Sequence, residues 1–263
     1  MNKSRSVTIS VAMATLNEES NIVRNLEAVH DWVNEIIIVD EGSEDKTLSL
    51  AKNYSKVKVI SVKHEPIFHI TKQKAIDACK SDWILQLDTD EVVTPELKEE
   101  IITLINSDPK ENGFWINRKN YFLGKFLTKG GIYPDPTIRL YRRGCGFLPC
   151  KDVHEQAEIK GSIGHLKSDL LHFSDPTFSR YLLRHDRYTS LLASEYQQQQ
   201  LPTNNLNFIK YYIIKPIHWF FLAYFRHKGF VDGFPGFVFA YYSALRFPSS
   251  YAKYWELTHA KNA

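Results

Sequence analysis

Asp82-Trp83-Ile84-Leu85-Gln86-Leu87-Asp88-Thr89-Asp90-Glu91 reads as a buried strand, Trp83 to Leu87, that ends in three carboxylates within four positions. An apolar run of this length between polar residues suits a parallel strand covered on both faces. Side chains alternate along an extended backbone, so Asp88 and Asp90 are expected to point the same way from the strand's carboxyl end. Two like charges held that close repel unless a cation lies between them or one takes a proton. Hard oxygen ligands favour Mg²⁺ or Mn²⁺, ions that keep positions open for substrate phosphates. The plainer alternative is a solvated acidic turn ahead of a helix, and Thr94-Pro95-Glu96-Leu97 has the pattern of an N-cap with Pro at N1.

Upstream, strand and helix patterns alternate. Val7–Ala14, Glu35–Asp40 and Val57–Val62 are predicted strands; Glu19–Trp32, Lys46–Tyr54 and Thr71–Cys79 are predicted helices, and Glu96–Ile105 is another downstream. Such alternation predicts an α/β domain with a mainly parallel sheet, right-handed crossovers and helices on both faces. Ligands of such sheets bind beyond the carboxyl ends of the strands. Thr15, Asn17 and Glu18 fall there after the first strand, Asp40 after the second, Asp88 and Asp90 after the fourth. Asp40 heads Asp40-Glu41-Gly42-Ser43-Glu44-Asp45, where a carboxylate can accept hydrogen bonds from a nucleoside's hydroxyl or imide groups; Asp45 reads as an N-cap.

From Gly113 the alternation stops. Phe114–Arg118, Thr137–Tyr141 and Glu155–Ile159 are strand-like pieces between Gly and Pro clusters. From Pro176 the pattern is helical and aromatic, which predicts a catalytic domain over residues 1–175 and a helical C-terminal region over 176–263.

The 263 residues carry a net charge of +3, which hides an asymmetry: Thr177 to Ala263 holds 10 Lys/Arg against 4 Asp/Glu, and the remainder 23 against 26. Nucleic-acid binding is therefore disfavoured. Cys79, Cys145 and Cys150 have no disulfide or zinc spacing, which fits a reducing, cytoplasmic location. No apolar segment of signal-peptide length precedes the first strand, and no stretch reaches the roughly 20 apolar residues of a spanning helix.

The chain resembles the family 2 glycosyltransferases with the nucleotide-sugar-binding GT-A fold. The matching pieces are Ala14-Thr15-Leu16-Asn17-Glu18-Glu19, Val39-Asp40-Glu41-Gly42-Ser43-Glu44-Asp45 and Leu87-Asp88-Thr89-Asp90-Glu91. Within that family it is similar to the lipopolysaccharide-core β-1,4-glucosyltransferase subgroup, through Val153-His154-Glu155, Leu171-His172-Phe173-Ser174 and Lys228-Gly229-Phe230-Val231-Asp232-Gly233 with Gly236-Phe237. The resemblance implies that Thr15, Asn17 and Glu18 line the nucleotide site and that Asp40 contacts the base. Asp88 would meet the ribose or donor sugar, and Asp90 would bind the metal that bridges the diphosphate. Lys72 stands where relatives carry a basic residue ahead of an Asn, here replaced by Gln73; Glu41 stands where a small residue is usual.

Chemistry asks for the same parts. Breaking a sugar–phosphate bond builds negative charge on the leaving diphosphate, which a divalent cation and fixed basic groups stabilise; Lys72, Arg139 and Arg142 are candidates. The acceptor hydroxyl needs a base. The resemblance favours Glu155, while chemistry alone also allows Asp152 or His154. His172 is either a core histidine or a metal ligand beside Asp90. Gly130-Gly131 suggests a mobile loop or a plain turn.

The late segment interleaves aromatic residues with Lys210, Lys215, Arg226, Lys228 and Arg246. That composition suits a helix lying at a membrane interface, or helices packed on the catalytic domain or on a second copy in a homo-oligomer. The expected activity is transfer of a sugar, with inversion, from a nucleoside diphosphate sugar, UDP-linked, to a saccharide or glycolipid acceptor in envelope polysaccharide or lipopolysaccharide synthesis. The expected place is the inner face of the cytoplasmic membrane. A nucleotidyltransferase is the enzymatic rival, opposed by the missing Gly-rich, basic phosphate loop after the first strand. A catalytically inactive nucleotide-sugar-binding scaffold is the rival from another class.

Overall fold

The computed structural model describes residues 6–151 and 155–259. They fall into two compact units, Met1–Arg118 with Asp135–His172, and Lys119–Pro134 with Phe173–Ala263. The segment Lys119–Pro134 thus belongs with the helical region.

In the first unit, β1 (Ile9–Thr15), β2 (Glu35–Asp40), β3 (Val57–Ser61) and β4 (Trp83–Gln86) run parallel in the order β3-β2-β1-β4. The connecting helices are α1 (Ile22–Val29), α2 (Thr47–Ala51) and α3 (Phe68–Ala78). Every residue of β1, β2 and β4 is buried, as strands covered on both faces require. Their period of two sorts the side chains: Val11, Met13, Ile36, Ile38 and Leu85 join one apolar cluster, Ala12, Ile37, Val39 and Ile84 the other. Each fully buried large aliphatic contributes roughly 1.5–3 kcal/mol from removal of its surface from water.

The other half of the sheet comes from the stretch where alternation ends. β5 (Glu91–Val93) was not legible in the sequence; α4 (Pro95–Asn106) follows it, with Thr94 Oγ1 accepting from Leu97 N at 3.1 Å and Pro95 in its first turn, as expected. Then come β6 (Gly113–Phe122), β7 (Lys125–Phe126), β8 (Asp135–Arg142), β9 (Gly146–Phe147), β10 (Glu158–Ile159) and β11 (Ile163–Asp175). The sheet order is β3-β2-β1-β4-β8-β6-β11-β5, with β7 on β6 and a separate β9–β10 pair. β8 is antiparallel to β4 and β6, and β5 to β11. Antiparallel neighbours need no crossover helix, which is why the sequence loses its alternation there.

Some boundaries differ from the sequence reading. β4 stops at Gln86 and the strand expected over Glu155–Ile159 is confined to β10. α1 begins only at Ile22 because Asn21 N and Ile22 N both donate to Glu18 O at 3.0 Å, closing a turn first. The N-cap of α2 is Lys46 and not Asp45, which stands one residue earlier and accepts from Thr47 N through Oδ1 at 2.9 Å.

In the second unit, α5 (Phe178–Gln198) starts under a Thr177 cap. A continuous helical stretch then runs through α6 (Asn205–Ile209), a π turn (Lys210–Ile214), α7 (Lys215–Phe221) and a second π turn (Leu222–Arg226). A 3₁₀ turn (Gly229–Asp232) leads into α8 (Gly233–His259). One core gathers Phe122, Leu127, Tyr181 and Val238, another Ala193, Tyr196, Tyr211, Tyr251 and Tyr254. Buried Asp232 accepts from Thr128 N and Lys129 N, both at 2.8 Å, and pairs with Lys125 at 3.3 Å. Gly130 N donates to His227 O at 2.9 Å, so the Gly130-Gly131 turn is held at its base. Gly229 and Gly236 bring two backbones into contact: a Cβ built on Gly236 would stand 2.0 Å from Gly229 O. Among the described residues no helix is long and apolar enough to cross a membrane, and the three cysteines are free thiols.

Candidate active site

The loops after β1 and β2 are stitched together at the sheet's carboxyl edge. Asn17, with φ +55°, donates its N to Ser43 Oγ at 2.9 Å, and its Oδ1 accepts from Glu44 N at 2.8 Å. Glu18 N donates to Thr47 Oγ1 at 2.7 Å, and Glu18 Oε2 accepts from Asn21 Nδ2 at 2.8 Å. Asp40 is buried, and its Oδ2 accepts from Gly42 N at 2.9 Å and Ser43 N at 3.0 Å, with Gly42 in the φ > 0 region this tight turn demands. Asp40 therefore shapes the lip of the crevice through its own turn. Thr15 Oγ1 is buried without a hydrogen-bond partner among the described residues. Glu41, expected only as a departure from the pattern, is buried; it accepts from Thr71 Oγ1 and lies 2.6 Å from His64 Nδ1.

The acidic turn after β4 is the most constrained part. Asn25 on α1 donates through Nδ2 to Asp88 O at 3.0 Å and Glu91 O at 2.7 Å. Glu91 is fully buried, and its Oε2 accepts from Asp88 N at 3.0 Å. Arg139 on β8 reaches Gln86 Oε1 at 2.7 Å, Asp88 Oδ2 at 2.7 Å and Glu91 Oε1 at 2.6 Å. Expected as a cation for donor phosphates, Arg139 lies buried behind the turn, where Asp88 and Glu91 hold it charged against the cost of burial and raise its pKa. Arg142, the other basic candidate on β8, caps the 108–109 turn instead, its Nη2 2.9 Å from Asp108 Oδ1.

Asp88 and Asp90 do not share partners. Asp88 Oδ1 lies 2.5 Å from Lys72 Nζ and Oδ2 faces Arg139. Asp90 Oδ2 lies 3.5 Å from His172 Nε2 on β11. Burial opposes ionisation of both carboxyls. Arg139 and Lys72 outweigh it at Asp88, and the His172 hydrogen bond and charge outweigh it at Asp90, so both stay below the usual carboxylate range.

α3 links this turn to Glu155. His69 and Lys72 are buried one turn apart on the same face. Lys72 meets Asp88, while His69 Nδ1 lies 3.9 Å from Glu155 Oε2. Glu155 Oε1 accepts from Lys151 N at 2.8 Å. Asp152 and His154, the other two base candidates, lie outside the described residues. Gln73 Oε1 accepts from Leu148 N at 2.7 Å, which ties the 148–151 stretch to α3.

Sequence reasoning passed over Asn25, Gln86 and His69, and took Glu91 only as the third acid of the turn and Glu41 only as a departure from the family pattern. Their common signal is a polar side chain at a position whose periodicity demands an apolar one: Asn25 between Ile22, Leu26 and Val29, and Gln86 inside β4.

These donors suit a divalent cation in part. Asp90 and His172 offer an oxygen and a nitrogen close enough to share one ion, with both side chains partly exposed, at 26% and 13%. Among the described residues no group of three or more His, Cys, Asp or Glu converges as a closed site. Two protein ligands with the remaining positions taken by substrate phosphates is the arrangement such ions adopt in phosphate chemistry.

The chain is similar to known glycosyltransferases. Lipopolysaccharide core biosynthesis glycosyltransferase LpsC of Rhizobium meliloti (strain 1021) is 28% identical over 250 residues, covering 90% of this chain and 91% of its own. An uncharacterized glycosyltransferase, RC0292, of Rickettsia conorii (strain ATCC VR-613 / Malish 7) is 26% identical over 251 residues, covering 90% and 86%. The crystal structure of S. aureus TarS 1–349 in complex with UDP-GlcNAc superimposes with a TM-score of 0.52 at 13% identity, covering 97% of this chain and 92% of that one. The fold is thus shared with a GT-A glycosyltransferase. The sequence profile described as glycosyl transferase family 2 matches residues 10–150, more than half of the chain. The protein belongs to glycosyl transferase family 2.

Proposed function

We propose that this glycosyltransferase moves a sugar from a uridine diphosphate sugar, with inversion, to a saccharide carried on a lipid. The product would be a lipopolysaccharide core or a related envelope glycan, built at the inner face of the cytoplasmic membrane. The observation that carries the reading is the convergence on α3. Its His69–Lys72 face meets both carboxylates of the scheme: Lys72 Nζ lies 2.5 Å from the donor-side Asp88, and His69 Nδ1 lies 3.9 Å from the acceptor-side Glu155. LpsC, named for lipopolysaccharide core biosynthesis, and TarS, crystallised with UDP-GlcNAc, support the acceptor and donor classes.

Thr15, Asn17, Glu18 and Asp40 form the lip that takes the nucleoside, with Thr15 Oγ1 a buried group available to it. Asp88, fixed by Lys72 and Arg139, orients the ribose or donor sugar. Glu155 Oε2 takes the proton of the acceptor hydroxyl as its oxygen bonds to the anomeric carbon; the bond from that carbon to the phosphate oxygen breaks, and its electron pair leaves with the diphosphate. His69 beside Glu155 then supports the base it faces. Asp90 and His172 would hold Mg²⁺ or Mn²⁺, which when bound supplies Lewis-acid stabilisation of the departing diphosphate.

Thermal unfolding with a panel of nucleotide sugars, with and without Mn²⁺, tests the reading, because a ligand that binds the native state raises its midpoint. A Mn²⁺-dependent rise with UDP sugars, accompanied by slow donor hydrolysis, is the expected result. No rise with any nucleotide sugar would refute it.

A further inference from the structure

The helical stretch from Asn205 to Arg226 carries two stripes at a spacing of four. Tyr211, Lys215, Trp219 and Ala223 face inward: Tyr211 and Ala223 are buried, Lys215 Nζ lies 3.9 Å from the Tyr211 ring, and Trp219 Nε1 donates to Ser243 Oγ at 3.2 Å. Ile209, Ile213, Ile217, Phe221 and Phe225 face outward, at 43%, 47%, 55%, 56% and 51% exposure. In a pure α-helix a spacing of four drifts about 40° per step around the axis. The two π turns, being wider, offset that drift and keep the outer stripe straight. α8 continues the surface with Phe234 and Phe237, 73% and 41% exposed. Phe237 is joined to the stretch through Phe220, at 5.7 Å between rings, and Phe221 stacks on Phe225 at 5.2 Å.

A contiguous exposed apolar surface of this kind marks an interaction site. Its charge identifies the partner. From Tyr196 to Trp255 the chain has six basic residues and a single acid, Asp232. That acid is buried against Thr128, Lys129 and Lys125. The stretch itself carries no acid, and its Lys210 and Arg226, with Lys228 just beyond, are exposed; the exposed acids nearest in sequence are Glu195 and Glu256. Among the described residues no helix is long and apolar enough to cross a membrane. An outward apolar face flanked by cations, too short to span, binds in the plane of an anionic bilayer.

We infer that the outer stripe Ile209–Phe225, with Phe234 and Phe237, is a docking surface for an anionic lipid bilayer. The surface is argued from the second unit alone; its purpose, bringing the enzyme to a lipid-borne acceptor, rests on the function proposed above.

Co-sedimentation of the full chain with phosphatidylcholine vesicles, with and without phosphatidylglycerol, tests it. The wild type should bind the anionic vesicles, and more weakly as salt rises. The triple variant Ile213→Ser, Ile217→Ser, Phe221→Ser should lose at least about tenfold in partitioning while hydrolysing donor at the wild-type rate. Lys210→Gln with Lys228→Gln, which leaves the apolar stripe whole, should lose the preference for anionic over neutral vesicles. Equal partitioning of wild type and triple variant would overturn the inference. So would a wild-type dimer, seen by light scattering, that the triple variant dissolves while neither protein binds vesicles; the stripe would then belong to a second copy. Vesicle binding without any donor hydrolysis would leave the surface standing and count against the proposed reaction instead.

Discussion

Arg139 Nη2 lies 2.7 Å from Asp88 Oδ2, a buried guanidinium paired with a carboxylate two residues past the end of β4. The same nitrogen reaches Glu91, so one cation balances two acids away from water. Asp88 is thereby kept ionised and fixed in direction without a ligand, which is the kind of preorganisation a transferase site requires.

Arg139→Met should destabilise the protein by about 3–5 kcal/mol, because it strands two buried carboxylates. Arg139→Lys should recover part of that stability yet leave donor KM raised, since an ammonium cannot reach Gln86, Asp88 and Glu91 with one planar fork. Urea denaturation and donor kinetics check the pair; a loss under about 1 kcal/mol for Arg139→Met would show the network to be slack.

Asn25→Ala removes both donors to the carbonyls of Asp88 and Glu91. Each buried carbonyl left unsatisfied costs about 1–3 kcal/mol. The acidic turn should loosen, raising donor KM more than it lowers thermal stability of the remaining sheet. Hydrogen exchange at Asp88–Glu91 should quicken in the variant, and unchanged exchange there would argue against the clamp.

Asp90→Asn and His172→Ala should each weaken Mn²⁺ binding by at least about tenfold, the lower end of what even outer-shell partners contribute. The melting temperature without metal should fall less than in Arg139→Met, because both side chains are partly exposed. Manganese titration followed by paramagnetic resonance reads the affinity directly.

The parallel half of the sheet was legible from the sequence because β1, β2 and β4 are buried on both faces and so read as unbroken apolar runs. β5 was not: three residues, one of them the charged Glu91, give no periodicity, and its pairing with β11 joins positions some 80 apart in sequence. Asp88 and Asp90 could be named from type and position, and Lys72 and His172 with the family resemblance beside them, whereas their partners could not. That Asp88 faces Lys72 and Arg139 while Asp90 faces His172 depends on where α3, β8 and β11 cross the strand ends. Two acids two residues apart look like a pair in one dimension and have separate surroundings in three.

The depressed carboxyls set the acid limb of stability. Burial works against Asp88 and Asp90, but their cationic neighbours hold both below the unfolded value of about 3.9. A carboxyl lowered in the folded state contributes stability above its unfolded pKa and loses it as pH falls through the folded value. The thermal midpoint should stay level from pH 7 to about 5 and decline below about 4, with a shallower decline in Asp88→Asn. An identical acid limb in that variant would remove Asp88 from the account.

Burial, with Glu35 adding to it, pushes the Cys79 thiol up to about 12. The thiolate is the reactive form, so iodoacetamide at pH 8 should label half-buried Cys145 at least about tenfold faster than Cys79 in the native protein. Denaturation in urea should bring the two rates together; fast native labelling of Cys79 would contradict its placement.

Where Gly229 and Gly236 pass, the main chains themselves are in van der Waals contact, so the junction has no side chain through which it can be retuned. Replacing Gly236 by even alanine would wedge the 3₁₀ turn off the start of α8 and carry Asp232 away from Thr128 and Lys129. Mutational change in this region is thus channelled to the outward side chains, while the two bare backbone positions stay as they are.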